Sequence, residues 1–395
     1  MHFPLLVWEQ RKLKDVAKII GGGTPSTKIK EYWNGNINWY SPIEIGNQTF
    51  VSSSRKKISE LGLKKSSAKL LPGGNTILFT SRAGIGDMAI MKTAGSTNQG
   101  FQSWVVRSNL ADVYFLYSLG KKLKKQALRK ASGSTFLEIS NSEVKKLLLF
   151  LPSLREQKEI GKIFKLIDKL LSLQQRKLEQ LNLLKKGLLQ KIFSDNDFRP
   201  NLRFKNFNEK WKQHKLGSIV HWSKGNHLKK STLNSKYDGY EVIHYADLYK
   251  FKPVLSKVIH WSRNNTGTII PANSLLFPMS DVTPDGLART TAMMKNGVRA
   301  GSDILIATVK NNNAEFLSYQ INLYSKRIVP LVTGTTIRHI NSKALSTLNI
   351  KIPTNSEQNI ISKLFIFFEN FVDLQQSKIN QLKLLKKFIL NNMFI

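Results

Sequence analysis

Apolar residues recur in alternating steps of four and three over two long stretches of the chain. The first runs Ile160, Phe164, Ile167, Leu171, Gln174, Leu178, Leu181, Lys185, Leu188 and Ile192. The second runs Ile361, Phe365, Phe368, Val372, Gln375, Ile379, Leu382, Lys386, Ile389 and Met393. A heptad rhythm of this length predicts a helix whose seam meets another helix. Gln and Lys interrupt both seams in the same slots, where a polar residue sets register at a cost in stability. Ser153 with Glu156, and Thr354 with Glu357, predict a capping box at each start. Pro152 and Pro353 hold the residue before them extended. The helices are expected from about Glu156 to about Phe193 and from about Glu357 to about Phe394. A helix of about 38 residues is about 57 Å long, against a radius of gyration of about 15 Å for either half of the chain. It must project, and its stripe needs a partner. The nearest is its own duplicate, antiparallel if the halves are related by a pseudo-twofold axis. Leu173, Leu184, Leu374 and Leu385 widen the stripes and offer surface to further partners.

The two helices are copies. An offset of 201 carries Pro152 to Pro353, Glu156 to Glu357, Gln174 to Gln375 and Lys185 to Lys386. The segments before them repeat more loosely. Trp8–Leu13 returns as Trp211–Leu216, Leu70–Phe79 as Ile269–Phe277, and Ser132–Phe136 as Thr333–Ile337. Duplication of this kind organises the chain as residues 1–152 (first mixed α/β domain), 153–194 (first helix), 195–352 (second mixed α/β domain) and 353–395 (second helix). Short strand-like runs (Ile37–Tyr40, Thr76–Thr80, Met88–Met91, Ser103–Val106) alternate with turn signals such as Pro72–Asn75. Leu13, Val16, Ala17 and Ile20 suggest one side of a short helix, and Asp112–Ala131 a longer basic one. Ser194–Asp197 reads as a polar turn, and Phe198 to about Asn208 as a linker. The expected fold class is α+β: two duplicated mixed α/β domains, each followed by a long helix, the helices pairing as an antiparallel coiled coil.

Charge adds a partner. With 61 Lys+Arg against 26 Asp+Glu, the 395 residues carry a net charge of +35. A field of that sign attracts polyanions, nucleic acid first. There are no cysteines, which excludes disulfides, Cys-based zinc sites and a Cys nucleophile, and fits a reducing cytoplasm. The N-terminal apolar run lacks a basic lead and a cleavage site, so it is not a signal peptide. The longest apolar runs fall far below the roughly 20 residues that cross a bilayer.

Catalytic motifs are missing. There is no phosphate-loop signature and no Pro-Pro pair of the kind that base-flipping amino-methyltransferases use. The seven histidines show no metal-ligand spacing, so no catalytic residue and no metal site is expected. The loops look instead like reading surfaces. In the first half the candidates for DNA contact are Gly22, Gly23, Thr24, Ser26, Thr27, Lys28, Lys30, Tyr32, Trp39, Ser81, Arg82 and Gln99. In the second they are Lys224, Asn226, His227, Lys229, Lys230, Ser231, Tyr245, Ser280 and Asp281. Arg and Lys suit guanine edges or phosphates, Asn and Gln suit adenine. The Gly21–Gly23 run suits either close approach to phosphate or base, or an ordinary turn.

At this point the chain resembles the specificity subunits of type I restriction–modification systems. The residues that carry the resemblance are Trp8–Leu13 and Trp211–Leu216, Pro72-Gly73 with Ile77–Phe79, Gly133–Thr135, Pro152 with Glu156-Gln157, Pro353 with Glu357-Gln358, and the two Leu-Gln-Gln helices. The resemblance implies two target-recognition domains, each reading half of a bipartite site in double-stranded DNA. It also implies two spacer helices that dock methyltransferase subunits, two of them, which in turn bring restriction/translocase subunits. The chain itself would be non-catalytic and carry no cofactor; S-adenosylmethionine, ATP and Mg would sit on those partners. One departure is that only a short lead precedes Trp8, whereas Phe198–Lys210 precedes Trp211. The competing expectation is a coiled-coil assembly protein with non-specific DNA binding.

Overall fold

The structure, a computed structural model, describes residues 8–46, 48–133, 137–193 and 199–393. The expected turn at Ser194–Asp197 and the tip Ser134–Phe136 lie outside the described residues. The chain divides into two compact units. Unit 1 holds 1–176 and 377–395; unit 2 holds 177–376.

In unit 1 a five-stranded sheet runs in the order Ala17–Gly21, Gln102–Val106, Thr76–Phe79, Met88–Met91, Phe50–Val51. A three-stranded sheet joins Lys56–Ile58, Trp33–Tyr40 and Gly95–Thr97. Thr76–Phe79 and Met88–Met91 are buried throughout, which is why they read as continuous apolar runs rather than alternating ones. The opening strand Glu9–Lys12 pairs antiparallel with Leu148–Leu151, just before the first long helix. Alternation places Leu149 and Leu151 in the core and leaves Leu148 and Phe150 outside.

Two expectations for this unit are corrected. The short helix covers only Leu13–Val16, and Ala17 and Ile20 belong to the next strand, where pairing with Gln102–Val106 overrides helical spacing. The basic helix is two, Val113–Ser118 and Gly120–Lys130, broken at Leu119 beside Gly120, which weakens a helix from within. The Asp112 carboxylate caps the first of them on the Phe115 N–H at 2.8 Å.

Unit 2 repeats the plan. One four-stranded sheet runs Val220–Lys224, Ile304–Val309, Ser274–Pro278, Thr291–Met293; another runs His260–Ser262, Tyr240–Ile243, Arg299–Ala300, Thr268–Ile269. Lys212–Lys215 pairs antiparallel with Asn349–Ile352 ahead of the second long helix, as its counterpart does in unit 1. Asn313 caps the helix Ala314–Leu323 on Phe316, 201 positions after Asp112 and Phe115.

The long helices span Leu154–Ile192 and Asn355–Met393. They pair antiparallel as a coiled coil, and each unit contains part of both. In unit 1 Phe164, Asp168 and Leu171 of the first helix share a cleft with Leu390, Lys386 and Lys383 of the second. In unit 2 Lys185 reaches Glu369, and Phe193 stacks on Phe365 with centroids 6.0 Å apart. Numbering rises along one helix as it falls along the other. Ile160 and Phe164 enter the core of unit 1, where Ile389, Leu390 and Met393 pack against it. Ile192, Phe193, Ile361 and Phe365 enter the core of unit 2 beside Trp211 and Phe316.

Candidate nucleic-acid interface and helix surfaces

Each helix starts with a duplicated clasp. Gln157 accepts from the Asp112 N–H at 3.1 Å and donates to the Pro152 carbonyl at 2.9 Å. Gln358 does the same with Asn313 and Pro353, at 2.9 and 3.0 Å. These two glutamines therefore tie helix start to recognition domain. The capping boxes form on one side: Ser153 accepts from the Glu156 N–H at 3.3 Å and Thr354 from Glu357 at 3.4 Å. The Glu357 carboxylate does not turn back to its cap. Both its oxygens are gripped by the Arg203 guanidinium, at 2.8 and 2.7 Å, in a pair that is almost wholly buried.

The seam residues occupy the least exposed side of both helices. Ile160, Phe164, Ile361, Phe365, Gln375 and Ile379 are buried; Ile167, Leu171, Gln174, Leu178, Leu181, Lys185, Phe368, Val372, Leu382 and Lys386 are half-buried. The lysines are more than polar interruptions. Lys185 pairs with Glu369 at 2.7 Å in unit 2, and Lys386 with Asp168 in unit 1. The 201 offset maps one pair onto the other. A tyrosine hydroxyl joins the Asp168 carboxylate. Tyr114 donates to Asp168 at 2.8 Å; burial, then the Asp168 charge, raises its pKa. Tyr319 is raised likewise by burial and then by Glu369.

A second apolar stripe faces outward. Leu166, Leu170 and Leu173 are exposed in unit 1, Leu166 by 58%. Phe367, Phe371 and Leu374 stand 201 positions later in unit 2, Phe367 exposed by 64% and stacked on Phe371 at 6.1 Å. Steps of three and four give each stripe helical continuity.

The DNA-contact candidates divide by what already holds them. Gly22 sits where a Cβ would lie 1.9 Å from the Asn98 carbonyl, and buried Gly23 where one would lie 2.2 Å from Ser67 Oγ. Packing alone requires glycine at both. Trp39 is buried and donates to the Gly23 carbonyl at 2.9 Å. Ser81 is fully buried. Arg82 is exposed but paired with Glu138 at 2.8 Å. Thr24 hydrogen-bonds Gln99, and the Ser26 carbonyl accepts from Trp33 Nε1. Ser26, Thr27, Lys28 and Lys30 are exposed along one loop, with Gln99 brought beside it and Tyr32 half-buried at its end.

In unit 2 Lys224, Asn226, His227, Lys229, Lys230 and Ser231 are all exposed on the equivalent loop. Gly225, not singled out from the sequence, repeats the Gly22 approach: a Cβ there would lie 1.9 Å from the Gly301 carbonyl. Its signal was the position after the repeated strand. His227 takes a positive φ of 31°, a costly conformation for this residue. Half-buried Tyr245 lies 4.5 Å from the His244 ring. The Ser280 carbonyl accepts from Tyr249 at 3.1 Å. Burial pushes the Asp281 carboxyl up, but hydrogen bonds from Tyr249 and Thr283 outweigh it and hold the group below the usual range. Tyr237, exposed by 85% beside Trp261, was missed because a single aromatic in a bend has no periodic signature. Among the described residues no His, Asp and Glu cluster is set to hold a metal, and no helix is long and apolar enough to cross a membrane.

The profile of the type I restriction modification DNA specificity domain matches the chain twice, over residues 7–183 and 208–384. The chain belongs to that family. The specificity subunit of the type I restriction enzyme MjaIX of Methanocaldococcus jannaschii is 28% identical over 411 residues, covering 96% of this chain and 90% of the relative. The EcoR124I/EcoR124II specificity subunit of Escherichia coli is 33% identical over 172 residues, 41% of each chain. In fold, the chain resembles the crystal structure of the type I S subunit from M. genitalium, with a TM-score of 0.66 at 14% identity over 100% of this chain and 98% of that one. Each match to the specificity domain takes in one recognition domain and most of the helix after it.

Proposed function

We propose that this chain is the DNA-reading subunit of a type I restriction–modification complex and performs no chemistry itself. Each specificity domain reads one half of a bipartite target in double-stranded DNA. The observation that carries this is the double match on a duplicated frame with unlike loops. Equivalent strands deliver equivalent loops at Gly22–Lys30 and Gly225–Ser231, yet the exposed residues differ, so each half would read its own sequence. Their lysines supply salt-sensitive phosphate affinity. Asn226 and Gln99 have the donor–acceptor pattern that pairs with adenine.

Methyltransferase subunits dock on the helices in this reading, and restriction/translocase subunits join through them. The stripes Leu166/Leu170/Leu173 and Phe367/Phe371/Leu374 support two equivalent footprints, since each buried Leu or Phe contributes roughly 1.5–3 kcal/mol. S-adenosylmethionine, ATP and Mg belong to those partners.

The test is to map methylated adenines on DNA exposed to the complex assembled with methyltransferase subunits. A bipartite methylated target is the expected result. Exchange of residues 1–152 for another such domain should alter one half-site only, and a change in both halves would refute separate reading. Deleting one heptad from each long helix should change the spacer between half-sites.

A further inference from the structure

Unit 1 has a cleft of about 860 Å³ between its recognition domain and its portions of the two long helices. Met88, Tyr117, Phe164 and Leu171 give it an apolar floor, and Leu384 at its edge is 65% exposed. Both carboxylates in the cleft are engaged: Asp87 by Lys124 at 2.7 Å, Asp168 by Lys386 and the Tyr114 hydroxyl. The remaining charges that line it are Lys121, Lys383 and Lys387. An apolar floor under three cations that form no ion pair among the described residues is complementary to a segment that is apolar on one face and acidic on its flanks.

The second half of the chain serves as an internal control. The matching caps Asp112 and Asn313 put the helices after them in register at the 201 offset. Ser118 and Gly120, both lining the cleft, then correspond to Tyr319 and Ile321, which are buried in unit 2. Large side chains fill there what small ones leave open here. The rim differs as well. Lys121 and Lys383 correspond to Asn322 and Asn182, and only Lys387 keeps a lysine, Lys186. The cleft therefore belongs to one half of a duplicated frame, unlike the outward stripes, which occur in both.

We infer that this cleft docks an acidic amphipathic helix of a partner protein, one copy per chain. Duplex DNA gives the apolar floor nothing to bury. A helix with leucines on one face and glutamates beside them satisfies floor and rim together.

The probe is a fluorescein-labelled 18-residue peptide (an arbitrary length of about five helical turns) with Leu at heptad a and d positions and Glu elsewhere. Anisotropy with the full chain should give one peptide bound per chain. Ser118→Tyr, which copies unit 2, should weaken binding at least tenfold while thermal melting stays at or above the parent's. Joint replacement of Lys121, Lys383 and Lys387 by Gln should weaken it similarly and covers the case in which the Tyr variant fails to fold. A peptide of the same composition with its apolar face scrambled should bind at least tenfold more weakly. Undiminished binding by the lysine variant, equal binding of the scrambled peptide, two peptides per chain, or displacement of the scrambled and ordered peptides alike by duplex DNA would each overturn the inference.

Discussion

The Arg203–Glu357 pair offers the sharpest test of how unit 2 is held together. Glu357 is fully buried and Arg203 is 12% exposed, so solvent screens neither charge. Two parallel N–H···O bonds satisfy the fork of the guanidinium. Replacing Arg203 by Met keeps the stem's packing and removes the cation. The carboxylate then stays buried at the helix start without a counter-charge, at a cost of about 3–5 kcal/mol. The cap hydroxyl of Thr354 offsets little of this, because it accepts from the Glu357 N–H and does not donate to its carboxylate. For a unit of this size, about 2–4 °C per kcal/mol converts the loss to roughly 6–20 °C in Tm. The double variant Arg203→Met, Glu357→Met should recover most of it, since apolar replacements of a buried pair are often neutral. Calorimetry of the parent, both single variants and the double variant gives the coupling directly. A single variant within about 1 kcal/mol of the parent, or a double variant no better than Arg203→Met, would refute the reasoning.

Lys185→Met should destabilise unit 2 by about 2–4 kcal/mol, since it strands buried Glu369; adding Glu369→Leu should restore stability, read by urea unfolding. Tyr114 and Tyr319 are raised above their ordinary value of 10.0, so the stability they contribute is complete below that pH and lost as pH climbs above it. Melting between pH 8 and 12 should fall with rising pH, less steeply in Tyr114→Phe/Tyr319→Phe; an identical slope would exclude the tyrosines as the cause. Ala83 holds a φ of +46° in an exposed loop, so Ala83→Gly should stabilise by about 1 kcal/mol, measured by calorimetry; a destabilised variant would show that no strain is stored there.

The long helices were legible because heptad spacing and caps are local signals. The antiparallel pairing was legible because duplication allows one symmetric solution. The role of Lys185 and Lys386 was half-legible. Their place in the seam marked them, but their carboxylate partners lie 184 and 218 positions away, and no spacing rule spans that distance. Gln157 and Gln358 stood out as part of the repeated pattern, but their clasp was hidden for the same reason: their partners belong to the domain before the helix. Among the candidate contacts, Trp39 and Ser81 looked like reading residues because aromatic and hydroxyl side chains suit both interiors and interfaces; burial, which sequence does not report for short strands, separates them. The loop Asn226–Ser231 was readable because consecutive polar and basic residues after a strand have nowhere to go but solvent.

Unit 1 is assembled from the first 176 residues and the last 19. Synthesis at about 5–20 residues per second delivers Ser377 roughly 10–40 s after Arg176. For that interval the Asp168 carboxylate has no Lys386, and the apolar surface later met by Ile389, Leu390 and Met393 stands open. A nascent chain of this protein thus spends tens of seconds with its first domain formed and its closing helix still unmade, a window in which chaperones, or another chain's helix of the same design, compete for the vacancy.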